Sequence, residues 1–137
     1  MTACASQHQQ VPKAQLKPGP LRVEVTASTN EVRLKESFKL VLRVENISKT
    51  DQTIRVMSCS WDQHWQSSNP AVSWVPWDCS NNFAMSVKLA PGNAYTNQME
   101  MLVPQPTKEK KLSFRMGFTP LESTNTLWSN EVTIKVE

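Results

Sequence analysis

An antiparallel β-sandwich is the fold predicted for this 137-residue chain, on three observations. From Leu21 onward apolar residues recur with a period of two, the mark of half-buried strands. The alternating runs are short and are separated by Pro, Gly, Asn and Asp clusters with turn chemistry. No window carries the 3.6-residue apolar period of an amphipathic helix. About seven runs in roughly 115 residues favour two stacked sheets with Greek-key connections over a closed barrel.

The first run, LRVEVTAS, puts Leu21, Val23 and Val25 on one face and Arg22 and Glu24 on the other. EVRLKE reads as an extra edge strand whose charges, present on both sides, discourage edge-to-edge pairing. SFKLVLRVEN sets Phe38, Leu40, Leu42 and Val44 inward, ISKTDQ supplies a turn, and TIRVMSC resumes with Ile54 and Val56 on one side and Met57 and Cys59 on the other. A hairpin between these two runs is expected. NFAMSVKL alternates through Phe83, Met85, Val87 and Leu89. APGN then breaks the chain, because Pro91 presets φ and Gly92 accepts positive φ. YTNQMEMLVP follows with Met99, Met101 and Val103 inward, and QPTKEK is a charged turn. The last runs are KLSFRMGF, with Leu112, Phe114, Met116 and Phe118, and EVTIKVE, with Val132, Ile134 and Val136.

Residues 1–20 lack any periodic apolar pattern and are rich in Gln, Pro and Lys, so they read as a flexible, partly extended tether to a single domain over 21–137. The opening MTAC resembles the end of a bacterial lipoprotein signal, in which Leu and two small residues precede a lipid-bearing Cys. Thr2, Ala3 and Cys4 fill three of those places, and Met1 stands where the Leu would be. The resemblance implies a lipid on Cys4 in a protein of the bacterial cell envelope. His8, in the same tail, takes no role.

Net charge is +3 with Lys and Arg scattered through the alternating segments, which excludes the basic stripe of a nucleic-acid binder. No apolar run approaches the roughly 18 residues that would span a bilayer as a helix. Membrane contact is expected only through the lipid.

The segment SCSWDQHWQSSNPAVSWVPWDC carries four of the chain's five tryptophans, Trp61, Trp65, Trp74 and Trp77, between Cys59 and Cys79. It shows neither a helical nor a strand period. A disulfide between the two cysteines would close the loop and stabilise it by about 3 kcal/mol; the alternative is two buried thiols in a reducing compartment. The tryptophans have two readings. They form a satellite cluster that anchors the loop to the sandwich, each ring burying on the order of 200 Å², or some rings stay exposed as binding anchors. Asp62, Gln63, His64 and Asp78 supply directional hydrogen bonds for the second reading. Trp128, just ahead of the last run, reads as packing.

No catalytic constellation can be assembled. Nucleophilic hydrolysis needs a nucleophile, a base and an orienting group that converge, and the chain offers only the generic combination of His64 with Asp62 or Asp78 and any Ser. Gly-x-Ser-x-Gly, phosphate-loop and His-Glu-x-x-His motifs are absent. The inward methionines Met85, Met99, Met101 and Met116 are explained by gap-filling. Met57, Cys59 and His64 lack the Cys-to-His-to-Met order of a copper electron-transfer site. No metal or cofactor is expected.

FKLVLRVENIS, then LAPGNAY, LSFRMGFTP and a closing WSNEVTIKV, resemble the immunoglobulin-like or fibronectin-like sandwiches of bacterial exported proteins. The chain is similar among these to the small proteinase-inhibitor (BsuPI-like) type, in which an Asn ends the second strand and a Leu-x-Pro-Gly turn precedes a later one. Asn46 and the set Leu89, Pro91 and Gly92 match those places, and the similarity spans residues 21–137. It implies fold more than activity, since this scaffold hosts many unrelated tasks. The antibody-type core Trp against an inter-sheet Cys pair is missing.

The expected molecule is thus an exported, lipid-tethered, monomeric and non-enzymatic domain. It binds a protein or peptide through a disulfide-closed loop presenting Trp61, His64, Trp65, Trp74, Trp77 and Asp78. A carbohydrate-binding module and a proteinase inhibitor are the alternatives.

Overall fold

Period-two alternation becomes strands wherever it persists. The computed structural model describes residues 19–137 and contains β1 (Leu21–Ala27), β2 (Glu31–Val32), β3 (Phe38–Asn46), β4 (Gln52–Met57), a 3-10 helix (Trp61–His64), β5 (Trp65–Ser67), β6 (Ser73–Trp74), β7 (Ala84–Leu89), β8 (Ala94–Leu102), β9 (Lys111–Phe114), β10 (Met116–Phe118), β11 (Leu127–Trp128) and β12 (Val132–Val136). The seven expected runs correspond to β1, β3, β4, β7, β8, β9 with β10, and β12. Cys4, His8 and the rest of the tether up to residue 18 lie outside the described residues.

The fold is all-β, as predicted. One sheet has the order β1-β3-β8-β6, and three smaller ones have the orders β2-β12-β9, β11-β10-β5 and β4-β7. Every pairing is antiparallel except β2 with β12. All the sheets feed one core, in which Leu40, Leu42, Val44, Val56, Met101, Phe118 and Ile134 are completely enclosed.

The expected hairpin between the second and third runs does not form. β3 pairs with β1 and β8, whereas β4 pairs with β7, so the chain changes sheets after Asn46. The Asn46 side chain makes this corner self-sufficient. Its Nδ2 donates to the carbonyls of Thr50 and Leu89, each at 2.8 Å, and its Oδ1 accepts the Ser48 N–H at 2.9 Å and the Ser48 hydroxyl at 2.7 Å. Backbone groups that a hairpin ladder would have satisfied are thereby satisfied by one buried amide. The Leu-x-Pro-Gly turn packs on the same corner, with Gly92 at φ +85° donating its N–H to the Asn46 carbonyl at 2.8 Å. The two features that carry the sequence resemblance are therefore in direct contact.

Two further side chains finish the sheets. Asn130 behaves like a piece of strand against the edge of β1, its Oδ1 accepting the Val25 N–H at 2.9 Å and its Nδ2 donating to the Val25 carbonyl at 3.0 Å. An open edge is thus blunted. At Arg115 the long run changes partners, β9 lying beside β12 and β10 lying between β5 and β11. Trp128 of β11 covers Gly117, where an added Cβ would sit 2.7 Å from Thr126 Cγ2 and 3.0 Å from Trp128 Cζ3.

Phe83, expected inward, is 58% exposed. It lies one step past the last β4–β7 pair, Met57 with Ala84, where its carbonyl still accepts the Ser58 N–H at 2.8 Å, and so stands at the rim of that sheet.

Candidate functional site

The tryptophan-rich segment is more ordered than its lack of period suggested. Its 3-10 turn and β5 pack beside β10, and β6 joins the open side of β8 through Ser73 with Leu102 and Trp74 with Met101. Val75 prolongs this contact by donating its N–H to the Glu100 carbonyl at 2.8 Å. Strands of two or three residues show no alternation, so their signal lies in the partner strands.

Cys59 and Cys79 form a disulfide, with Cα atoms 5.7 Å apart. A second clasp lies beside it. The Asn82 Oδ1 accepts the N–H groups of Cys59 and Ser60 at 3.0 and 3.1 Å, and its Nδ2 donates to the Ser60 hydroxyl at 2.8 Å. Covalent and hydrogen-bonded closure act at the same base.

The structure divides the candidate residues into two groups. Trp65 is 4% exposed, its ring 5.0 Å from that of Phe118. Its Nε1 has no hydrogen-bond partner among the described residues, a cost of about 1–3 kcal/mol. Burial of some 200 Å² of ring is worth about 5 kcal/mol, so the interior position wins. His64 is 7% exposed. Its Nε2 accepts the Met57 N–H at 2.8 Å, and Nδ1, 3.1 Å from the Thr119 carbonyl, then carries the proton. Burial holds its pKa below the ordinary 6.5, with the Thr119 carbonyl and Asp62 opposing the shift. A neutral imidazole that staples β4 to the chain after β10 has no nitrogen left for a ligand. Trp65 and His64 are thus corrected from binding candidates to framework.

Trp74 is half-buried and donates its Nε1 to Asp62 Oδ2 at 3.4 Å. Asp78 is exposed. Trp61 and Trp77 come together, ring centroids 4.9 Å apart and planes tilted by 39°. Trp77, 39% exposed, donates its Nε1 to the Cys59 carbonyl at 3.3 Å, which ties the outer ring to the disulfide. The pair lines a groove of about 380 Å³ with Val75, Pro76, Gln98 and Glu100. That volume suits one side chain or a sugar ring, near the lower bound for ligand sites.

Sequence reasoning did not reach Val75, Pro76, Gln98 and Glu100. Gln98 and Glu100 occupy the polar, outward positions of β8, so alternation gave their direction. Only the pairing of β6 with β8 brings them beneath the indoles. Among the described residues no three His, Cys, Asp or Glu side chains are grouped to hold a metal.

No protein-family description matches the chain, and no curated protein does. Solved structures resemble it in fold. The sporulation control protein Spo0M from Bacillus subtilis superposes with a TM-score of 0.54 at 13% identity, over 88% of this chain and 50% of that one. The segment of Escherichia coli alpha-2-macroglobulin from domain MG7 to the C-terminus gives 0.50 at 15% identity, over 86% of this chain and 16% of that one. This chain therefore spans half or less of each of these two proteins. The likeness extends to the β-sandwich fold.

Proposed function

We propose that this protein is an exported, non-enzymatic binding domain of the bacterial cell envelope, tethered by a lipid on Cys4, that recognises a protein or peptide partner. The observation that carries the reading is the Trp61–Trp77 pair, held at 4.9 Å at the lip of a groove and fixed from behind by the Cys59–Cys79 disulfide. Large aromatic rings that are rigid before binding lose little entropy on association and dominate interface energies. The disulfide supports export, since such bonds persist in oxidising compartments.

The test is capture of a partner from envelope extracts by the wild type and by Trp77→Ala and Trp61→Ala. Loss of a defined partner in both variants, with circular dichroism unchanged, is the expected result. Full recovery of that partner by both would reject the reading.

A second reading rests on the same groove, because an exposed indole beside Gln98 and Glu100 combines a stacking face with hydrogen-bonding groups, as a glycan site requires. Tryptophan fluorescence that shifts on titration with cell-wall or plant glycans would favour it over a protein partner. The contact between Asn46 and the Gly92 turn supports kinship with the small proteinase-inhibitor type. Inhibition in a protease panel would favour that role.

A further inference from the structure

The groove that binds in the reading above has a chemical bias of its own. Its lining combines two indoles, the apolar flank of Val75 and Pro76, the amide of Gln98 and the carboxylate of Glu100, with no Lys or Arg. An indole face carries negative potential that attracts cations, and Glu100 adds a full charge of the same sign. Asp62 and Asp78, chain neighbours of Trp61 and Trp77, add negative charge to the surroundings. The chain as a whole is positive at +3, so the groove runs against the average of its own surface.

Glu100 is available and fixed. Lys39 lies directly across from it on β3, yet no ion pair joins Glu100 to a described residue, whereas Glu24, Glu45, Glu122 and Asp51 each meet a cation. Its backbone is held on both sides, by β3 in the ladder and by the Val75 N–H at 2.8 Å. The carboxylate therefore projects from a strand paired on both sides, beside a ring that bonds to the disulfide's Cys59 carbonyl.

We infer that the groove receives a cationic side chain, arginine or lysine, of a protein partner, its stem along Val75 and Pro76, its charge against the Trp61–Trp77 pair and Glu100 as counter-ion. The inference rests on the groove being the binding surface. Arginine fits best, because its planar guanidinium stacks on aromatic faces while donating to a carboxylate.

The experiment uses the full chain, isotope-labelled, with the indole N–H signals followed by NMR during titration with capped glycyl-arginyl-glycine. The control ligand is the same peptide with citrulline, which keeps the shape and loses the charge. The arginine peptide should shift the Trp61 and Trp77 signals and leave Trp65 unmoved, the citrulline peptide should bind about tenfold more weakly, and Glu100→Gln should weaken the arginine peptide by a similar factor. Glu100 is exposed, so unchanged signals elsewhere will verify the fold of that variant.

Equal binding of the citrulline peptide, or an unaltered affinity in Glu100→Gln, overturns the inference while leaving the groove as a peptide site. Binding of the uncharged sugar N-acetylglucosamine with a silent arginine peptide overturns it in favour of a sugar. Silence of both peptides also overturns it, and capture by Trp77→Ala then decides separately whether the groove binds at all.

Discussion

The side-chain amide of Asn46 donates to the Leu89 carbonyl at 2.8 Å, joining the ends of β3 and β7 across 43 residues of sequence and two different sheets. With Thr50 and Ser48 it completes every bond the amide can make at this corner. Asn46→Ala leaves a buried carbonyl without its donor, and the expected loss is about 2–3 kcal/mol. Urea unfolding should show a lower midpoint at unchanged slope. Asn46→Asp should be no better, because its oxygens would face two carbonyls.

His64 gives the fold a pH dependence of defined sign. Desolvation lowers its folded pKa below the 6.5 of the unfolded chain, so the unfolded state binds the proton more readily. The contribution of His64 is complete above about pH 6.5 and declines as the pH falls from there through the lower, folded-state pKa. Protonation also turns Nε2 into a donor facing the Met57 N–H. Unfolding free energies at pH 7.5 and 5 should differ more in the wild type than in His64→Gln. An equal difference would place the pH dependence elsewhere.

Much of this was legible in the sequence, and the remainder was not for a common reason. Alternation is local, so Leu40, Leu42, Phe114 and Ile134 declared their faces by themselves. The fates of Trp65 and Trp77 could not be told apart, because their residue type and setting are alike and Phe118, 53 positions from Trp65, decides between them. The same holds for β6, two residues long, whose existence depends on β8. Asn82 opens the run NFAMSVKL just outside the cysteine pair, where nothing local marks it, although it satisfies three polar groups at the loop base. The hairpin that failed, between β3 and β4, shows the limit from the other side. A turn sequence marks where the chain bends, but the Asn46 corner determines which sheet it enters next.

Opening the disulfide should act regionally. The bridge closes a 20-residue separation, and its loss costs about 3 kcal/mol in the loop-closure estimate. In Cys59→Ser/Cys79→Ser the indole signals of Trp61 and Trp77 should move, since Trp77 bonds to the Cys59 carbonyl. Trp65, held by Phe118 and the β5–β10 pairing, should stay as it was. Thermal unfolding and NMR of the double variant check both halves.

Gly117→Ala addresses the packing of the fifth tryptophan. A methyl group there meets Thr126 Cγ2 at 2.7 Å and Trp128 at 3.0 and 3.1 Å, so β11 must move away from β10. Overpacking of this kind costs about 1–3 kcal/mol. A variant as stable as the wild type in denaturant titration would show that β11 gives way freely.

The proposed binding surface depends most on the division of the tryptophans into an interior anchor and an outer pair, and chemical footprinting measures this directly. The native protein is oxidised with limiting N-bromosuccinimide and the modified positions are identified by mass spectrometry. Trp77 should react first, Trp61 and Trp74 more slowly, and Trp65 only when the protein unfolds. Reaction of Trp65 at the rate of Trp77, or protection of Trp77 in the free protein, would contradict the proposed binding surface.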